Sequence, residues 1–296
     1  MIIPDFFVIG AAKSGTTALY EYLKQNDNIF LPDIKETNYF HFFDDSLEYT
    51  GPGDKDEICR FSLKTRDEYE NAYKKGIGFV KGDVSPVYLY DNKVANRIYN
   101  ANPNAKIIVV LREPVSRAIS QYNHAVRQLR ETLSFQDALE QEKNRLDDGY
   151  EFFWAYQKSG LYYEQLKSYY DVFPREQIKV IKYDDFISSQ QGVMSDLFDF
   201  LNVEDKEISM SKSYNSAGKP KLENIHKITR LNIVKDIYHK CLPKWIKNII
   251  RNLYYRMNMK KNDIVGEEIK AKLKFQFRDD ILKLEELTGK TFKEWR

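Results

Sequence analysis

The chain has 296 residues, 42% of them hydrophobic, enough for one large α/β domain with a sizeable core. Forty-six Lys and Arg stand against 44 Asp and Glu, leaving a formal charge of +2; the whole molecule is therefore no basic nucleic-acid binder, and any anion site must be local. Cys59 and Cys241 form no CxxC pair, which argues against a disulfide scaffold and a structural zinc site and for a reducing compartment. In chain order, short runs of β-branched and aromatic residues predict strands at Phe6–Ile9, Gly78–Val80, Lys106–Leu111 and Gln177–Ile181. Apolar residues at three- and four-residue spacing predict helices over Thr16–Gln25, Asn92–Asn100, Val115–Arg130, Phe135–Asp147 and Tyr162–Val172, the last stopped by Phe173-Pro174. Residues 44–64, with Gly51-Pro52-Gly53, and residues 209–221 read as irregular loops. A terminal helix over Asp280–Leu287 ends at Gly289. Strands alternating with helices predict an α/β fold of three layers, a central parallel sheet flanked by helices.

The first strand runs into Gly10-Ala11-Ala12-Lys13-Ser14-Gly15-Thr16-Thr17, a small-residue turn opening a helix. Successive backbone N–H groups and the positive end of a helix dipole make such a turn an anion cradle that needs no metal. Counted from Gly10 it follows the GxxxxGK[ST] frame, but Thr16 stands where an ATPase has its Lys, and the Lys comes earlier, at Lys13. That shift argues against ordinary Mg·ATP chemistry. The bland alternative is a tight turn with a solvated Lys. A second cue lies in Leu111-Arg112-Glu113-Pro114, a strand end followed by a helix bearing Ser120 about two turns on, where a guanidinium fork and a hydroxyl can share a phosphate.

Together these segments resemble the two cofactor signatures of the sulfotransferases that use 3′-phosphoadenosine 5′-phosphosulfate (PAPS). Lys35-Glu36-Thr37-Asn38-Tyr39-Phe40, Gly82-Asp83-Val84-Ser85-Pro86, Gly160-Leu161-Tyr162 and Phe173-Pro174-Arg175 extend the likeness over most of residues 4–202. The Lys-Glu pair is similar to the branch holding glycosaminoglycan (heparan sulfate) sulfotransferases and their bacterial homologues. The resemblance implies a P-loop-like fold forming a single domain over residues 1–296, with PAPS as sulfuryl donor and no metal. It implies Lys13, Ser14, Gly15, Thr16 and Thr17 on the 5′-phosphosulfate, Arg112 and Ser120 on the 3′-phosphate, and Lys219 and Lys221 in a late closing loop. Glu36 would be the base and Lys13 the cation at the leaving oxygen, with Lys35, His41 and Asp83 on the acceptor side. His41, which stands where several of those enzymes carry an Asp, and His124 are rival bases. Asp83 is read either as an acceptor contact or as a cap for its turn.

The expected acceptor is a hydroxyl or amine of a glycan, lipid or small metabolite, with no nucleic-acid partner. Competing readings are a P-loop kinase and a nucleotide-binding module without turnover. Residues 223–261 carry ten Lys and Arg against two acids with apolar residues interleaved. The stretch 222–262 is therefore read as a basic amphipathic helical segment that packs on the domain or touches an anionic membrane surface. The N-terminus lacks a basic signal-peptide start, and no run of about 18 apolar residues occurs. The expectation is a cytoplasmic, bacterial protein.

Overall fold

The computed structural model describes residues 2–43, 47–55, 58, 62–128, 130–210 and 265–296, with the backbone alone of 219–220 and 259–260. Strand β1 (Phe6–Gly10) lies at the centre of a five-stranded sheet with β2 (Ile29–Phe30), β3 (Val80–Val84), β4 (Lys106–Leu111) and β5 (Ile178–Lys182) in the order β2-β3-β1-β4-β5. Every pairing is parallel, as Phe7 beside Asp83 and Ile107, and Val109 beside Val180, illustrate.

Strands buried on both faces need apolar residues in both registers, and β1 and β4 supply them. Phe7, Ile9, Ile107 and Val109 face one core; Phe6, Val8, Ile108 and Val110 face the other. The second core is covered by α1 (Thr16–Leu23), α9 (Tyr183–Ser188) and α10 (Gln190–Leu201). The first is covered by α2 (Tyr39–Phe42), α3 (Arg66–Tyr73), α4 (Val87–Tyr90), α5 (Lys93–Ala101), α6 (Pro114–Arg127), α7 (Phe135–Asp147), α8 (Tyr162–Tyr170) and α11 (Glu267–Thr288). The expected three-layer α/β arrangement is thus present. A short antiparallel pair, β6 (Lys219–Pro220) with β7 (Met259–Lys260), stands apart from this sheet.

Several boundaries differ from expectation. The third run was placed at Gly78–Val80, whereas β3 occupies Val80–Val84, because Lys81, Gly82 and Asp83 interrupt its apolar pattern. Gly82 is required there, since a Cβ would stand 2.1 Å from the Phe6 ring. The terminal helix begins at Glu267 rather than Asp280 and does end at Gly289, which takes the left-handed conformation. Cys59, Cys241, Lys221 and almost all of 222–262 lie outside the described residues, as does the Lys219 side chain. Among the described residues, no helix is long and apolar enough to cross a membrane.

Candidate active site

Because β1 is flanked by β3 and β4, chain connections leave its carboxyl end in both directions, and an open parallel sheet forms its crevice at such a point. A cleft of about 500 Å³ opens there. Its walls include Lys13, Gly15, Thr16 and Thr17 after β1, Arg112 after β4, Tyr183 after β5, Glu36 and Pro86, and one stripe of α6.

The loop after β1 turns through left-handed residues at Lys13 (φ 69°) and Gly15 (φ 82°). Gly15 is the N-cap of α1, and a Cβ on it would come within 3.1 Å of the Tyr183 ring, so only glycine fits the turn and its neighbour together. Ser14 is fully buried, and its hydroxyl has no hydrogen-bond partner among the described residues. Arg112 donates from Nη1 to the Lys13 carbonyl at 3.1 Å and lies 4.7 Å from the centre of the Tyr183 ring. The Tyr162 hydroxyl donates to the Arg112 carbonyl at 2.8 Å. Two loops from different strands are thereby fixed to each other.

The entry angle of α6 is set by Glu113, whose carboxylate accepts from the N–H groups of Val115 (3.0 Å) and Ser116 (2.7 Å), with Pro114 opening the helix. Val115, Ala118, Tyr122 and Ala125 bury one face of α6. Ser116, Ser120, Asn123, His124 and Arg127 recur on the other and line the cleft. Ser120 therefore stands in the same cleft as Arg112, as the sequence implied.

The electrostatics of the cleft are those of an unfilled anion site. His124 Nδ1 accepts from Lys13 Nζ at 3.1 Å and from Arg127 Nη2 at 2.6 Å. A nitrogen that faces two cations is unprotonated, so the ring proton lies on Nε2. Burial, with Lys13 and the two nearby guanidiniums of Arg127 and Arg130, pushes the imidazole down to about 2. Burial likewise pushes Lys13 down to about 8, assisted by Arg127, Lys35 and Arg112 and opposed by the Glu36 carboxylate. An anion entering the cleft would relieve both.

Glu36 sits in a turn where it (φ 65°) and Asn38 (φ 51°) both adopt left-handed backbone. Its N–H donates to the Val84 carbonyl at 3.1 Å, and its carboxylate pairs with Lys35. The remaining acceptor-side residues lie elsewhere. Asp83 is fully buried and is not part of the cleft wall; Thr37, Ser85, Tyr69 and Tyr88 all donate hydroxyls to it. His41 is buried between Asp91 (2.7 Å) and the Tyr49 hydroxyl (2.6 Å), also away from the cleft. Both are held by the fold rather than presented to a ligand. Conversely, sequence reasoning passed over Arg127 and Tyr183. Arg127 was legible, because Ser116, Ser120, Asn123 and Arg127 repeat at three- and four-residue spacing along a predicted helix. Tyr183 carried no local signal, since only the sheet order brings it to Gly15.

A parallel sheet that offers an anion cradle beside an Arg-tipped second strand defines a P-loop-like protein built to hold a phosphorylated ligand. The family model described as the sulfotransferase domain matches residues 3–274, and the chain belongs to that family. The crystal structure of a sulfotransferase from Alicyclobacillus acidocaldarius is similar along its whole length, with 31% identity, TM-score 0.78 and full coverage of both chains. The membrane-associated sulfotransferase kil1 of Dictyostelium discoideum is 23% identical over 91% of this chain and 67% of its own length. Human heparan sulfate glucosamine 3-O-sulfotransferase 3B1 is 25% identical over 90% of this chain and 64% of its own. The chain thus spans about two thirds of the length of these curated relatives.

Proposed function

We propose that the cleft binds PAPS and that the chain passes its sulfuryl group to a hydroxyl or amine of a glycan, lipid or small-metabolite acceptor. One observation carries this reading: Lys13, Arg112 and Arg127 line a single cleft with the carboxylate of Glu36 and a backbone anion cradle. The cofactor, when bound, supplies an activated sulfuryl group on a phosphate leaving group. The chain's own residues fit it, since the surplus positive charge that lowers Lys13 is what a bisphosphorylated ligand would offset.

In the transfer we envisage, the N–H groups of the loop with Ser14, Thr16 and Thr17 hold the 5′-phosphosulfate, and Arg112 with Ser120 holds the 3′-phosphate. Lys13 steadies the negative charge that grows on the bridging oxygen, an interaction that strengthens toward the transition state. Glu36 accepts the acceptor proton while the reacting atoms are held in line. His124 is disfavoured as that base, because its available nitrogen already faces two cations. Side-chain cations take the charge that a divalent ion takes in nucleotide kinases, so no metal enters the proposal. Lys219 and Lys221 keep their place in the reading as closing contacts. The names of the heparan sulfate relatives make a glycan hydroxyl the first acceptor to try.

The experiment is transfer of labelled sulfur from PAPS to a panel of glycans, lipids and small alcohols in the presence of EDTA, with binding of 3′,5′-ADP and ATP measured alongside. Transfer with a preference for 3′,5′-ADP is expected. A protein that binds Mg·ATP more tightly than 3′,5′-ADP and moves no sulfur would be a kinase or a nucleotide module instead.

A further inference from the structure

Asp83 is the buried carboxylate to which this reading assigns no chemistry, and its surroundings are unusual. It is completely buried on β3, yet its hydrogen bonds come from hydroxyls: Thr37 (2.6 Å), Tyr69 (3.0 Å) and Tyr88 (3.0 Å) reach Oδ2, and Ser85 (2.7 Å) reaches Oδ1. A buried carboxylate without a cation on it is costly and persists only where its lone pairs are filled.

The network leads to one place. Thr37 follows Glu36 directly; the Ser85 hydroxyl that donates to Asp83 accepts from the Asn38 N–H at 3.1 Å; and the Tyr88 hydroxyl accepts from the Phe40 N–H at 3.3 Å. Each link fastens the segment carrying Glu36 to β3 or to α4 behind it. The same turn holds two non-glycine residues, Glu36 and Asn38, in left-handed backbone, a conformation that persists when surrounding contacts impose it. Burial acts on Asp83 in the direction that favours its protonated form, and the four hydroxyls oppose that. The hub therefore depends on all of them together.

We propose that Asp83 is a positioning residue for the proton-accepting Glu36: through Thr37 and Ser85 it imposes the left-handed turn that aims the Glu36 carboxylate into the cleft. The proposal rests on Glu36 being the base. It predicts an effect on turnover that passes through Glu36 and leaves the cofactor half of the cleft untouched. It also explains why the residue lies behind the site rather than in its wall.

The test is a double-mutant cycle read by single-turnover transfer from PAPS, with 3′,5′-ADP affinity measured for each protein. Thr37→Val cuts the turn from the hub while keeping shape, and should slow transfer on the order of 10-fold with affinity unchanged. Asp83→Asn, which leaves an acceptor on one side only, should slow it by about 10²-fold, the scale expected when a reacting group shifts by about 1 Å. In a Glu36→Gln background both changes should cost nothing further. Tyr69→Phe removes a donor that is not on the turn and should leave transfer within about 2-fold of the parent, the error of such additivity comparisons. If Thr37→Val transfers at the parental rate, or if either change costs as much without Glu36 as with it, the positioning role is overturned even should Asp83→Asn fail to fold. If Glu36→Gln itself transfers normally, the base assignment falls, a separate and recognisable outcome.

Discussion

Two buried cations near the end of α6 have opposite surroundings. Arg130 donates to Asp54 and, at 2.6 Å, to Glu151, and its guanidinium lies 4.9 Å from the Phe153 ring and 5.3 Å from the Trp154 ring. Lys13, also buried, is given a neutral imidazole as its hydrogen-bond partner, and its carboxylate, Glu36, acts on it without a direct contact. The first arrangement is complete: two acids, a cation and the Trp154 N–H, which donates to Asp54 at 2.8 Å, satisfy one another. The second is unfinished, and its positive charge is compensated when an anion arrives. Burial of charge does not by itself mark a functional site; burial of charge that the protein leaves uncompensated does.

This contrast can be pressed experimentally, beginning with the change of largest expected effect. Glu36→Gln should lower turnover by about 10²–10⁴-fold with 3′,5′-ADP affinity nearly unchanged, since it removes a proton acceptor and no cofactor contact. Parental turnover in single-turnover transfer would shift the base elsewhere. Arg130→Ala strands Asp54 and Glu151 in the interior and should cost about 3–5 kcal/mol of folding stability, read by chemical denaturation, while the protein that remains folded binds 3′,5′-ADP normally. A stability loss under about 1 kcal/mol would mean the two clusters are not different in kind.

Arg112→Ala, in the unfinished cluster, should do the reverse: stability little changed, and binding of 3′,5′-ADP weakened by roughly 1.5–3 kcal/mol. An analogue lacking the 3′-phosphate should lose far less, and equal losses for both ligands would remove Arg112 from the 3′-phosphate. The smallest effect is a pH dependence. Free Lys13 sheds its proton as pH rises through about 8, whereas beside a bound phosphate it keeps that proton. Binding then takes up a proton above pH 8, and affinity should fall by up to about tenfold per further pH unit. Lys13→Arg, which stays charged across this range, should flatten the profile. A parental profile that is already flat to pH 9.5 would show that Lys13 does not meet the anion.

The cofactor side of the molecule was readable because its parts are local. Lys13 through Thr17 are contiguous, and Arg112 and Ser120 are separated by helical turns; strand β4 came out at its predicted limits because its six residues are uniformly apolar. The acceptor side was not readable in this way. Asp83 sits in a strand its own polarity disguises, and its role depends on Thr37, Tyr69 and Tyr88, which only folding brings together. His41 drew notice as a titratable group, and nothing in its neighbours in sequence announced Asp91 and Tyr49 as its partners. The helix α11 was shortened to its last turns because alternating charges from Glu267 to Arg278 hide the buried Leu273 and Phe277.

The stripe along α6 also works as a gauge. Ser116 and Arg127 are fixed on one rod, about 16 Å apart along its axis at 1.5 Å per residue, so helix length sets how far apart two ends of a ligand are gripped. Substitutions along the rod alter the strength of a grip but leave the spacing intact. A single inserted residue between Ser120 and Asn123 would instead rotate everything beyond it by about 100° and advance it by about 1.5 Å. Drift in this family member's sequence is therefore tolerable at the marks on the gauge, while changes in its length would alter what size of ligand the chain can measure.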